Sequence, residues 1–272
     1  MLIGPGSHCV GPKQFDIAGE QRAFFDHYLK GIDNGFERGP RYSWYHYGPN
    51  GSGEMVTSTT APGVDVARAP LYLSAGDGAL SSIAPSNGSR PFTVDYNVAN
   101  GEYFAFWPPS PFGKGPSFTS PPLAADAAMT GYPIANITAT LDRPDANLFA
   151  YLEDIDPAGK AYMVSFGRLA ASHRKISRAP YDRLDLPYHS GLKADAMPMV
   201  PGKPATLTFS MVPRSYTFAA GHRLRVTLAG ADPRQRNLAQ IRQDPPPVFD
   251  IATGGTDGSR IDIPFTTKPT FR

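Results

Sequence analysis

The sequence predicts a mainly β protein: a jelly-roll β-sandwich preceded by a short strand-loop-helix segment of α/β character. Three observations carry this. Gly and Pro, at 27 and 29 residues, run through the whole chain without a repeat. Evenly spaced turn formers in an apolar, aromatic-rich chain divide it into many short strands. From Ala69 onward, segment after segment alternates apolar and polar residues, the period of half-buried strands. Only one long helical pattern stands out, and it lies close to the N-terminus.

Bulk composition narrows the function classes. Hydrophobic residues make up 41% of the 272, enough for a real core, so disorder is excluded. Lys and Arg exceed Asp and Glu by two, 26 against 24, and are scattered. That balance gives no general drive toward nucleic acid or an anionic membrane, so neither is expected as a partner. No run approaches the roughly 20 apolar residues of a membrane helix. The single cysteine, Cys9, rules out an intrachain disulfide and a Cys-rich metal cluster, and fits a reducing compartment. No metal site and no cofactor is expected.

The elements follow in order. Met1 to Ile3 is a short apolar run ended by Gly4-Pro5-Gly6, the end of a buried strand entering a loop. Such a strand needs neighbours on both sides. The helix spans roughly Ala18 to Lys30, with Phe24, Phe25, Tyr28 and Leu29 on one face. Glu20 in its first turn and Lys30 in its last suit the helix dipole, and Gly31 stands at the C-cap. One strand and one helix cannot bury each other, so this piece must pack on something else. Residues 1–40 therefore read as a remnant of an α/β domain, 41–68 as a linker with one connecting strand at Arg41 to Tyr47, and 69–272 as the sandwich. Within 41–68, Gly48 to Gly53 is a turn and Thr57 to Gly63 a polar linker.

Candidate sandwich strands are Pro70 to Ser74, Phe92 to Tyr96, Ile134 to Leu141, Leu148 to Ile155, Ala161 to Phe166, Ala205 to Met211, Arg223 to Leu228 and Ser259 to Phe265. Asp156-Pro-Ala-Gly159 joins two of them into a hairpin. About eight or nine strands are expected. Residues 101–122 and 229–258 read as irregular excursions.

Chemistry is sparse. A serine hydrolase needs a nucleophile on a Gly-x-Ser-x-Gly elbow, an acid and a histidine. No such elbow occurs, and neither Ser7 nor Ser52 has the spacing. His8 follows a strand end and a Gly-Pro-Gly turn, on the edge of an α/β sheet where catalytic groups gather. From spacing alone, it reads first as a loop histidine without a task.

Several motifs, in order, resemble one family. Leu2-Ile-Gly-Pro-Gly-Ser-His8 and Phe24-Phe-Asp-His-Tyr-Leu-Lys-Gly31 look like the histidine loop and following helix of the cocaine esterase and X-prolyl dipeptidyl-peptidase (CocE/NonD) hydrolases. Phe118 to Leu123 with Met129 to Pro133, Ala150 to Ala161, and Phe218-Ala-Ala-Gly-His-Arg-Leu-Arg-Val226 resemble segments of that family's C-terminal domain. The resemblance covers nearly the whole chain. It implies a galactose-binding-like jelly roll attached to an α/β-hydrolase domain, and cleavage of esters, amides or X-Pro bonds through an acyl-serine. It places the catalytic general base at His8, with the serine and aspartate upstream of Met1. Gly6 stands where the family usually has Trp, and Cys9 where a small residue is common. The chain alone is then expected to be silent, its partner being the upstream domain or a second copy. The rival reading is a standalone jelly-roll binding or structural module, in which the helix face caps the sandwich.

Other residues read as structural. His222 belongs to the sandwich, His27 makes a packing or capping contact, and Glu153, Asp154 and Asp156 form the mouth of the hairpin. His173-Arg174-Lys175 is a solvated loop. Asn50, Asn87 and Asn136 open short sequons. Tyr103, Phe104, Phe106 and Trp107 cover a sheet edge or meet the hydrolase domain.

Overall fold

The computed structural model describes residues 1–5, 15–98, 107–235, 238–255 and 258–272. In chain order the elements are β1 (Leu2–Ile3), α1 (Ile17–Lys30), β2 (Tyr42–Tyr47), β3 (Gly53–Ser58), β4 (Ala69–Leu73), β5 (Leu80–Ser81), β6 (Gly88–Thr93), β7 (Ser117–Thr119) and β8 (Ala127–Gly131). There follow β9 (Ile134–Leu141), β10 (Asn147–Ile155), β11 (Ala161–Ala170), β12 (Ala205–Ser210), β13 (Arg214–Phe218), β14 (Arg223–Ala229), a one-turn α2 (Leu238–Ile241), β15 (Val248–Thr253), β16 (Arg260–Ile263) and β17 (Phe265–Thr267).

The strands form three sheets. One has seven strands, ordered β5-β4-β16-β9-β15-β6 with β12 also on β9. Another has four, β11-β10-β14-β7. The third has six, β1-β2-β13-β8-β17 with β3 on β2. A single apolar core fills the sandwich: Leu71, Ile137, Leu207, Phe249 and Ile261 of the seven-stranded sheet meet Leu148, Leu152, Leu224, Val226 and Phe218 of the others. Fully burying each such side chain is worth about 1.5–3 kcal/mol. The expected mainly β sandwich is what the chain forms.

β10 is the centre. Every residue from Leu148 to Ile155 is buried, so both its faces are covered. Leu148, Ala150 and Leu152 face the main core, while Phe149 and Tyr151 join Ala229, Met163 and Phe166 in a smaller cluster outside. The β10–β11 hairpin closes at the expected turn, where the Gly159 N–H donates to the Asp156 carbonyl (2.9 Å). Gly159 takes the left-handed conformation the turn demands (φ 85°).

Several sequence boundaries move. β7 lies inside the supposed excursion 101–122, and β15 inside 229–258. β7 is three residues between prolines, too short for any periodicity, whereas β15 alternates cleanly after Pro245-Pro246-Pro247. β8 is built of small residues with weak strand preference, and it and β13 were not expected. The strand expected at Phe92 to Tyr96 runs instead from Gly88 to Thr93. It is an edge strand pairing only with β15, which is where a proline such as Pro91 is tolerated. The polar linker expected from Thr57 begins inside β3, which pairs along its length with β2. Seventeen strands form among the described residues, about twice the expected number.

Candidate functional site

Gly6, His8 and Cys9 lie outside the described residues, as do Tyr103, Phe104 and Phe106. The elements flanking His8 are described. β1 pairs in parallel with β2, Leu2 opposite Ser43 and Ile3 opposite Trp44. α1 begins where the Asp16 side chain accepts the Gly19 N–H (2.9 Å), one of the orphan donors of a helix start. It ends at Gly31, left-handed at φ 69°, whose N–H reaches the His27 carbonyl while that of Ile32 reaches Asp26.

α1 buries nothing. Phe24, Phe25, Tyr28 and Leu29 are 43%, 52%, 53% and 76% exposed. Phe36 lies against them, 5.7 Å from the Phe24 ring and 6.1 Å from the Tyr28 ring. Among the described residues, the face does not cap the sandwich. His27 caps locally, its Nδ1 lying 3.1 Å from the Ile32 carbonyl oxygen and its ring edge-on to Tyr28.

The acidic run on β10 differs from its sequence reading. Only Asp156 belongs to the hairpin mouth. Glu153 and Asp154 are fully buried and point to opposite faces of the sheet. Asp154 lies 2.9 and 3.0 Å from His222 Nδ1 through its two oxygens and accepts the Tyr216 hydroxyl (2.9 Å). Burial pushes the Asp154 carboxyl up, and Tyr216 and His222 pull it part of the way back. Glu153 accepts Arg225 Nε (2.9 Å), Nη2 (3.1 Å) and the Thr227 hydroxyl (3.2 Å). Arg225 also donates to Ser110 and stacks over Phe112. A third buried carboxylate, Asp232, accepts the Tyr151 hydroxyl (2.6 Å) and pairs with Arg234 through two 2.8 Å bonds. Sequence reasoning missed the Arg225 and Asp232 networks. The available signal was Arg225 alternating with Leu224 and Val226, a charge on a strand buried on both faces.

His222 and Asp154 pair as a histidine and carboxylate do in a catalytic relay, but no serine hydroxyl among the described residues bonds to His222, so the pair is structural. Among the described residues, two serines do meet histidines. Ser215 lies 2.7 Å from His46 Nδ1, and Ser172 lies 3.1 Å from its neighbour His173. The other nitrogen of His46 contacts Thr217 (2.8 Å), not a carboxylate. Ser215 is also occupied by Trp44 Nε1 (3.2 Å) and Thr130 (2.8 Å). This knot is a clamp between β2 and β13, which share a single bridged residue pair, Tyr47 with Tyr216. Burial holds the His46 imidazole below its ordinary value, favouring the neutral ring. Beside it, the Arg214 guanidinium lies between the rings of Tyr47 and Trp107, at 3.4 and 4.3 Å. Trp107 also stands edge-on to Phe166, so it covers the sheet.

The basic cluster is tied down, Arg174 donating to the Met197 carbonyl and Lys175 pairing with Asp195. Asn136 bonds to Asp262 and Thr208 in the sheet, while Asn87 is exposed. Among the described residues, no three His, Cys, Asp or Glu side chains group to hold a metal ion.

Residues 34–242 match the family described as the X-Pro dipeptidyl-peptidase C-terminal non-catalytic domain. The chain belongs to this family. Two proteins carrying the name "Putative serine esterase", from Mycobacterium bovis and Mycobacterium tuberculosis, are each 31% identical over 290 aligned positions, which cover 97% of this chain. Those positions make up 45% of each relative, so the chain spans about half their length. Among solved structures, a CocE/NonD family hydrolase from Staphylococcus aureus superposes with a TM-score of 0.70 at 20% identity, over 91% of this chain and 45% of that one. An aminopeptidase from a Thaumarchaeota archaeon gives 0.64 at 18%, over 95% and 46%. At such identities the likeness speaks to fold. The X-Pro dipeptidyl-peptidase C-terminal domain starts, by its own match, after α1. β1 and α1 precede the matched residues, and β15 to β17 follow them.

Proposed function

We propose that this chain is the C-terminal part of a CocE/NonD-type serine hydrolase and does not turn over substrate alone. In this reading residues 1–40 are the end of an α/β-hydrolase domain, 41–68 connect, and 69–272 are the jelly roll that braces the active-site domain. His8 is the general base, taking the proton from a serine as it attacks an ester, amide or X-Pro carbonyl. The serine and the aspartate that orients His8 come from an upstream domain, whose body covers α1.

The observation that carries the proposal is the bare face of α1. Four large apolar side chains at helical spacing, each between two-fifths and four-fifths exposed, are a surface built to be covered. The sandwich closes its own core without them, so they do not serve the jelly roll. Relatives twice as long supply a body that could cover them.

The test is hydrolysis of a p-nitrophenyl ester by the purified 272-residue chain, with His8→Ala as control. Turnover equal to the control supports the proposal. Turnover lost on His8→Ala overturns it, because a nucleophile would then have to stand within these residues.

A further inference from the structure

A polar cleft of about 440 Å³ opens at one end of the seven-stranded sheet. Three connections form it: the turn after β4, the approach to β6 and the end of β15. Its size suits a small ligand.

The chemistry of the walls decides the class. Ser74, Ser86, Ser89, Thr253 and Asn87 bring hydroxyls and an amide, groups that both donate and accept hydrogen bonds. Among the described lining residues, Asp77 is the single carboxylate. Among the described residues, no lysine, arginine or histidine lines the cleft to answer a phosphate or a carboxylate. A divalent cation such as calcium seeks six to eight oxygens, usually several of them carboxylate. No aromatic or large aliphatic side chain among the described residues lines the cleft for an apolar ligand to lie on. What fits is compact, uncharged and rich in hydroxyls.

The walls are also set in place. Thr253 is 3% exposed, on the floor, and its hydroxyl accepts the Ala75 N–H (3.3 Å). Asp77 accepts the Ala79 N–H (3.0 Å), and the Ser74 carbonyl accepts the Gly78 N–H (3.1 Å), closing the turn. Gly254, left-handed at φ 79°, lets the Ser86–Asn87 backbone lie against it; a Cβ there would sit 2.3 Å from the Ser86 carbonyl oxygen. Rigid walls spare a ligand the cost of ordering them.

We propose that this cleft binds a small neutral polyhydroxylated ligand, of monosaccharide to disaccharide size, through the Asn87 amide, the Ser74 and Ser89 hydroxyls and the Asp77 carboxylate. The site is independent of the hydrolase reading and holds whether or not His8 is catalytic.

The experiment is an amide-resolved NMR titration of the full chain with glucose, galactose, mannose and maltose in turn, and separately with inorganic phosphate and calcium chloride. At least one sugar should shift the amides of residues 74–79 and 86–89 saturably. The variant Asn87→Ala/Ser89→Ala, exposed and outside the core, should weaken that sugar by about tenfold or more without moving the melting temperature. Three results overturn the proposal: no sugar saturates these amides, phosphate or calcium moves them instead, or the variant binds the sugar unchanged.

Discussion

Arg225→Met should be among the most damaging single changes in the sandwich. Glu153 is fully buried and Arg225 is 8% exposed. Three of the contacts that satisfy the Glu153 carboxylate come from β14: two from Arg225 at 2.9 and 3.1 Å, and one from Thr227 at 3.2 Å. Methionine fills much the same volume but leaves the carboxylate, among the described residues, with the Thr227 hydroxyl as its remaining bond. Removing one partner of a buried pair costs about 3–5 kcal/mol, because the other is stranded. For a chain near this size that lowers the melting temperature by about 6–20 °C. Replacing both, Glu153→Leu with Arg225→Met, removes the stranded charge and should recover most of the loss. Urea unfolding of the wild type, both singles and the double reads the cycle. If Arg225→Met alone costs less than about 1 kcal/mol, or the double loses as much as the two singles summed, the pair is not a coupled buried unit.

Further outcomes follow from other parts of the molecule. Gly63 is left-handed (φ 79°), and a Cβ there would lie 2.6 Å from the Thr130 carbonyl oxygen and 2.7 Å from Gly131 Cα; Gly63→Ala should cost at least about 1–3 kcal/mol in urea unfolding. Phe25→Glu with Leu29→Glu should cut self-association in sedimentation while changing stability by no more than about 0.5 kcal/mol, since neither residue is buried. His46, held below its ordinary 6.5 by burial, binds protons more readily once unfolded. Its contribution is therefore present above pH 6.5 and lost as the pH falls below it; His46→Gln should flatten that part of a stability–pH curve. Asp232 adds a second acid limb. Burial alone would raise its carboxyl, but Arg234 and Tyr151 outweigh it and hold the group below its ordinary 3.8. Stability is then lost as the pH falls below that value, and Asp232→Asn should remove the limb.

Much of the fold was legible from local pattern. Ile134 to Leu141 alternates cleanly and forms a strand with those bounds, and Asp156-Pro-Ala-Gly159 forms its turn. α1 was legible in phase and in its C-cap, Gly31, because those signals sit within one helix, while its N-cap, Asp16, was not read. What escaped depends on partners distant in sequence. β7 and β8 are strands because β14 and β13 pair with them, not because Ser-Phe-Thr or Ala-Ala-Met-Thr-Gly prefer to extend. The acidic run on β10 looked like the mouth of a hairpin because the residues that bury it, His222, Arg225 and Tyr216, lie some 60 to 75 positions further on, as the separations of 62, 68 and 72 show. The polar cleft is assembled from three connections, none distinctive alone. For the proposed hydrolase site, His8 rests on resemblance, not periodicity, and lies outside the described residues.

The double burial of β10 has a consequence for how the molecule breathes. A strand covered on both faces and paired along both edges has no small opening that frees its amides. Its hydrogen exchange should proceed only through global unfolding, at the free energy measured in urea. α1 buries no side chain, and its amides should exchange through local fraying, orders of magnitude sooner. The two therefore act as internal references. A body that settles on the helix will slow exchange in α1 more than any stabilisation of the whole fold could, and the ratio of the two rates will report its arrival.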